Sequence, residues 1–196
     1  MAAAPDPSTC KFSCSCGSLQ GHIAPEALKT GTHVECYCAD CRVNEIHHNR
    51  PDPAPGPVHL FQLSPDAIHI TKGAEHLKLL RLSPKGLFRW YAGCCGMPFA
   101  NTLITPGLPF AGMRTNLFAS HEIFGKVTTS AFMRRPGKPP RTKGALPMVY
   151  AMFTRMLAAR LSGRWKQTPF FDIETSRPVS EPQVLSKAER DAVTKP

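Results

Sequence analysis

Seven of the eight cysteines in this chain fall into three tight clusters: Cys14 with Cys16, then Cys36, Cys38 and Cys41, then Cys94 with Cys95. Thiolates are nucleophiles and soft metal ligands. A C-x-C turn can aim two sulfurs at one ion, and the C-x-C-x-x-C run Cys36–Cys41 adds a third. Zinc holds such ligands in a tetrahedron with sulfurs at about 2.3 Å. Gly17 and Gly96 each follow a cysteine, as a knuckle turn needs a residue tolerant of positive φ. The first residues, MAAAPDPST, have neither the basic start nor the apolar run of a secretory leader, so a reducing, cytoplasmic setting is expected. There, clustered cysteines point to metal more than to disulfides. Cys10 stands outside the clusters and reads as a plain thiol.

The run Cys14-x-Cys16-Gly17, Cys36-x-Cys38-x-x-Cys41-Arg42, Arg89 and Cys95-Gly96-x-Pro98 resembles the glutathione-dependent formaldehyde-activating enzyme family, which includes centromere protein V-like members. The resemblance spans roughly residues 12 to 104. It implies a zinc-bound, mainly antiparallel β fold and two zinc ions. Cys14, Cys16 and Cys95 would serve a closed structural site. Cys36, Cys38 and Cys41 would serve a second site whose fourth position is open, as in catalytic zinc. The implied activity is a carbon–sulfur lyase reaction like that of S-(hydroxymethyl)glutathione synthase: glutathione, or a related small thiol, adds to formaldehyde. Arg42, next to Cys41, reads either as a partner for a substrate carboxylate or as a surface or structural arginine. One position departs from the family pattern. Ala92 stands where the first cysteine of the late C-x-x-C pair belongs, which makes Cys94 the candidate fourth ligand, although vicinal cysteines are awkward to bring to one tetrahedron. His47 and His48 follow the middle cluster and are either further candidates for the second zinc or simple loop residues. Asp40 is expected to shape the loop through backbone hydrogen bonds.

The elements that must hold these residues are short. Lys11 to Ile23 reads as strand, metal turn and strand, and Thr32 to Arg42 repeats the theme. Strand-like runs follow at Val58–Leu63, Ala67–Thr71, Leu77–Leu82, Leu87–Ala92 and Pro98–Ile104, separated by turn signals such as Ser64-Pro65 and Ser83-Pro84. The expected fold is therefore mainly β (α+β): a zinc-binding domain of short antiparallel strands over residues 10–125, after a disordered start at 1–9. Residues 126–196 are expected to add a basic loop, an amphipathic helix and a tail packed on the same domain. Ser130 to Gly144 is rich in Pro and Arg and reads as linker. Leu146 to Leu161 has helical spacing, with Leu146, Val149, Tyr150, Phe153, Met156, Leu157 and Leu161 on one face; Leu146, Val149, Phe153 and Leu157 are expected to be buried, and Arg155, Arg164 and Lys166 to stay mostly in solvent. Ser186 and Glu189 form a capping box for a last short helix.

The chain of 196 residues carries a net charge of +10, and it sits in one place. Ten of the 24 Lys and Arg lie between Lys126 and Lys166 with no Asp or Glu among them, which leaves the rest balanced at 14 of each sign. A second class of function thus stays open beside the lyase: a non-catalytic zinc module whose basic segment binds nucleic acid or an acidic partner. No stretch approaches the roughly 18 apolar residues of a membrane span, and no membrane partner is expected.

Overall fold

A computed structural model describes residues 10–194; the expected disordered start at 1–9 lies outside them. Twelve strands and four helices follow in order: β1 (Lys11–Ser13), β2 (Gln20–Ile23), α1 (Ala27–Thr30), β3 (Thr32–Cys36), α2 (Ala39–His47), β4 (Val58–Leu63), β5 (Ile68–Lys72), β6 (Leu77–Arg81), β7 (Phe88–Ala92), β8 (Met97–Thr102), β9 (Ala111–Arg114), β10 (Thr129–Arg135), β11 (Lys138–Lys143), α3 (Ala145–Leu161), β12 (Pro182–Val184) and α4 (Lys187–Thr194). The fold is mainly β, as the strand spacing implies.

Strands β1, β2 and β5 form a small antiparallel sheet. The other nine form one sheet in the order β11-β10-β3-β4-β9-β8-β7-β6-β12. Its six central strands are joined antiparallel throughout. The two flanking additions are parallel: β10 on β3, and β12 on β6. Both come from the second half of the chain.

The main core lies between the two sheets and is rich in aromatic side chains. Phe12 meets Phe99 edge-on at 5.3 Å, and Trp90 lies 5.1 Å from Phe170. Trp90 is fully buried and donates its indole N–H to Thr102 Oγ1 at 2.9 Å, so its polar edge is satisfied. Cys10 packs into this core. Gly21 on β2 sits where β5 passes closest. A Cβ there would lie 2.1 Å from the His69 carbonyl oxygen and 2.5 Å from the Phe12 ring, so the close pairing of β2 with β5 requires glycine.

Four expectations need correction. The strand-and-turn reading of Thr32–Arg42 fails after Cys36, because Cys38 caps a helix that contains Cys41. The segment read as loop or linker, Ser130–Gly144, is a hairpin of β10 and β11; the prolines Pro139 and Pro140 lie on β11, the outermost strand, between its paired residues Lys138 and Arg141, where the register shifts. The helix after it forms as expected, but of its expected apolar face only Met156 is buried. Its inward residues are Met156 and Ala159, whereas Leu146, Val149, Tyr150, Phe153, Leu157 and Leu161 face out. Arg155, expected in solvent, is half-buried and donates to the Thr30 carbonyl at 2.6 Å and Thr32 Oγ1 at 3.0 Å. Arg164 and Lys166 are exposed. The capping box holds: the Ser186 N–H reaches Glu189 Oε2 at 2.8 Å, and the Glu189 N–H reaches Ser186 Oγ at 3.2 Å.

Candidate metal centres

The seven clustered cysteines gather into two groups, Cys14–Cys16–Cys94–Cys95 and Cys36–Cys38–Cys41, with every sulfur in a group within 4.8 Å of the others. The first is built from two turns. After β1, the Gly17 N–H closes onto the Cys14 carbonyl at 3.0 Å with Gly17 at φ +75°. Between β7 and β8, the Gly96 N–H closes onto the Ala92 carbonyl at 2.8 Å with Gly96 at φ +68°. These turns bring the Cys14 and Cys16 sulfurs to 3.5 Å of each other, and the Cys94 sulfur to 3.7 and 3.3 Å from them. The vicinal pair Cys94 and Cys95 therefore meets one centre after all: the tight turn directs both side chains the same way. Ala92 is fully buried in the core. Arg50 ties the two turns together, donating to Ser15 Oγ at 3.1 Å and to the Cys95 carbonyl at 2.9 Å. Hydrogen bonding from Ser18 lowers the Cys16 thiol to about 6, whereas burial first, and then the contacts with Cys16 and Cys14, push Cys94 up to about 12. Four clustered sulfurs are a soft donor set that suits a zinc ion.

The second group forms where β3 ends and α2 begins. Cys36 is the last residue of β3; Cys38 is the N-cap of α2 and accepts the Cys41 N–H at 3.3 Å; Cys41 lies in the first turn. The Cys36 sulfur lies 3.3 Å from that of Cys38 and 3.6 Å from that of Cys41. The helix N-terminus favours negative charge here. The neighbouring Cys36 and Cys38 thiols lower Cys41 well below an ordinary thiol, and the guanidiniums of Arg89 and Arg114 add to that; Cys36 is raised far above it, first by Cys38. Three sulfurs within bonding reach of one point, with two buried arginines to balance their charge, fit a zinc ion.

Arg89 and Arg114 are 4% and 7% exposed, as secluded as the apolar core. Arg114, on β9, pairs with Glu45 of α2 at 2.9 Å. Arg89, on β7, reaches Asp40 at 3.5 Å and Asn101 Oδ1 at 3.3 Å. Asp40 also accepts from Arg190 of α4 at 2.8 Å, so it anchors side chains to the start of α2 more than it shapes the loop backbone. Sequence reasoning passed over Arg114 and Glu45. No spacing links them, and only an arginine in an otherwise apolar strand, AGMR, marked the place.

Two cavities flank the trio. One of about 390 Å³ is walled by all three cysteines, by Arg89, Asn101 and Gln62, and by apolar side chains including Leu60, Phe110 and Met148. The other, of about 360 Å³, touches Cys36 and Cys38 and includes Tyr37, Arg42 and Arg134. Arg42 is committed to Asp52, with contacts of 2.6, 2.8 and 3.0 Å. His48 is not beside this trio. It packs on Tyr91 at 4.3 Å, next to Gly96 of the other group. Neither His47 nor His48 belongs to either sulfur group.

The profile of a family of unknown function, DUF6151, matches residues 8–181. The chain belongs to this family. No curated protein matches this DUF6151 chain. Among solved structures it is similar to a Rhodobacter sphaeroides protein, a structural-genomics target, at 16% identity and a TM-score of 0.42, over 60% of this chain and 96% of that one.

Proposed function

We propose that this DUF6151 protein carries a closed structural zinc at Cys14, Cys16, Cys94 and Cys95, and at Cys36, Cys38 and Cys41 a second zinc open to a small thiol. The observation that carries the reading is the difference between the groups: four sulfurs in one, and three in the other beside a 390 Å³ cavity. Zinc at the second group would favour the thiolate form of an incoming thiol, the nucleophilic form. Four thiolates around a divalent ion carry a net charge of −2, and Arg89 and Arg114 lie where they offset it. The cavity would set a largely apolar wall beside the incoming sulfur, while Asn101 and Gln62 would offer polar contacts to the rest of the ligand.

The family resemblance of the cysteine motifs supplies the candidate pair, glutathione and formaldehyde. The thiolate sulfur would attack the carbonyl carbon, a C–S bond would form, and the aldehyde oxygen would take up a proton to give S-hydroxymethylglutathione. Thiols add to formaldehyde unaided, so the protein's part would be to bind and orient the thiol. Arg134, which lines the second cavity beside Cys36 and Cys38, would be a cation there for a glutathione carboxylate, since Arg42 is held by Asp52.

Calorimetric titration of glutathione into zinc-loaded protein tests this. Binding is expected for the native chain and for Arg42→Gln, and none for Cys41→Ser. Equal isotherms for the native chain and Cys41→Ser would rule out a thiol site at the trio. Binding of simple thiols but not of glutathione would keep the open site and discard the glutathione assignment.

A further inference from the structure

We propose that the outward face of α3, with the basic hairpin beside it, docks this protein on an anionic lipid surface. The helix packs on β10 and β4 through its methionine and alanine side. Its other side shows Leu146 at 85% exposure, Tyr150 at 73%, Phe153 and Leu157 at 59% and Leu161 at 80%. The spacing of four, three, four and four residues keeps them in one stripe. The 17-residue helix makes that stripe about 25 Å long. Isolated exposed apolar side chains are ordinary, but a continuous stripe of this length marks a surface that something covers.

The charge around the stripe says what covers it. Of the ten cations between Lys126 and Lys166, all but Arg155 are exposed. Among the described residues, Arg164 alone of the ten is in an ion pair, with Asp66 at 3.4 Å. Arg141 and Lys143 lead directly into the helix from β11, and Arg160 lies over Trp165 at 4.4 Å just past its end. A second copy would set this uncompensated charge against its equal, with no acid in either segment. Nucleic acid would answer the charge but not the stripe, because Leu146, Leu157 and Leu161 offer no ring for base stacking. None of the stripe residues lines the cavities of about 360 to 650 Å³ that flank the cysteine trio, α3 and β1. A lipid interface is deformable and takes a leucine and aromatic stripe flanked by Lys and Arg into the headgroup boundary. Each cation close to an anionic leaflet adds roughly a fivefold gain in partitioning. The helix lies on the surface and does not span it.

Co-sedimentation of the full zinc-loaded chain with vesicles tests this. Partitioning is expected into phosphatidylcholine vesicles containing 30% phosphatidylserine by design, and not into phosphatidylcholine alone, with a steep loss at high salt. Leu146→Ser/Phe153→Ser/Leu157→Ser, which leaves Met156 and Ala159 inward, should keep zinc content and circular dichroism and lower partitioning on the order of 100-fold. Lys138→Gln/Arg141→Gln/Lys143→Gln should lower it by a similar factor. No partitioning at low salt overturns the proposal. So does partitioning that the serine variant leaves unchanged, which would make the attraction charge alone. A dimer of the native chain in sedimentation velocity that the serine variant dissolves, without vesicle binding, would assign the face to a second copy. Duplex DNA binding without vesicle binding would assign the charge to nucleic acid.

Discussion

Replacing Arg114 with Met should cost a definite and pH-dependent amount of stability. Arg114 and Glu45 form a buried ion pair at 2.9 Å, with both residues under a tenth exposed. Removing one partner of such a pair typically costs about 3–5 kcal/mol, because the other charge is left in the core. Here Glu45 has an exit. Burial already raises its carboxyl above the ordinary value, with Arg114 pulling the other way. Without Arg114 the carboxyl can take up a proton. From an ordinary glutamate value near 4.5, that costs about 3.5 kcal/mol at pH 7 and about 1.4 less for each unit the pH falls. The sign follows. The variant's folded state binds a proton that its unfolded state releases above pH 4.5, so its deficit grows as pH rises and shrinks as pH falls. In a chain of this size, 3 kcal/mol corresponds to roughly 6–12 °C in Tm. Denaturant melts of zinc-saturated protein at pH 5.5, 6.5 and 7.5 measure the trend, with Arg114→Met/Glu45→Gln as the control that should flatten it. A deficit below 1 kcal/mol, or one that does not change with pH, would refute the reasoning that this pair carries full charges in the core.

Elemental analysis should find two zinc ions per chain; none in carefully handled protein would remove the basis for both centres. Cys14→Ser should lower Tm sharply because structural zinc contributes folding free energy directly, whereas Cys41→Ser should leave a folded chain with one metal, and equal Tm losses would make both centres structural. Gly21→Ala forces a Cβ to 2.1 Å from the His69 carbonyl and should cost about 3 kcal/mol or more by thermal melt; an unchanged Tm would mean that β2 and β5 part easily. His48 is held down at about 4 by burial, so its neutral form stabilises the fold above the ordinary histidine value near 6.5, and that contribution is lost as pH falls toward 4. His48→Phe should show a flatter stability profile across that window, and parallel profiles would count against it.

Much of this was legible along the chain. Strand β4 lies where Val58–Leu63 was read, and β5 to β8 lie within a residue or two of their runs, because alternation and Pro turns are local signals. The sulfur clusters were equally plain. What escaped was decided in three dimensions. The inward side of α3 is built from Met and Ala, which pack on β10 and β4, so the richer leucine and phenylalanine stripe gave the wrong face. A helix apolar on both sides has no period that separates them. Pro139 and Pro140 hid β11, since proline argues against a strand everywhere but an edge. The Arg114–Glu45 pair joins a strand and a helix that share no motif. Cys38 was read as a turn residue, and its second task, capping α2, follows only from the direction its sulfur takes.

The order of the large sheet has a consequence for any shortened version of this protein. β10 lies along the outer side of β3, and β12 along the outer side of β6. A chain cut near residue 125 would retain every cysteine and all six antiparallel central strands. It would also bare both borders of that sheet, each with a row of unpaired N–H and C=O groups ready to recruit another molecule. One bared border would be β3, which delivers Cys36 to the second metal group. Such a fragment should self-associate into insoluble assemblies, and zinc supplementation would not rescue it, because the missing element is a neighbour for each border.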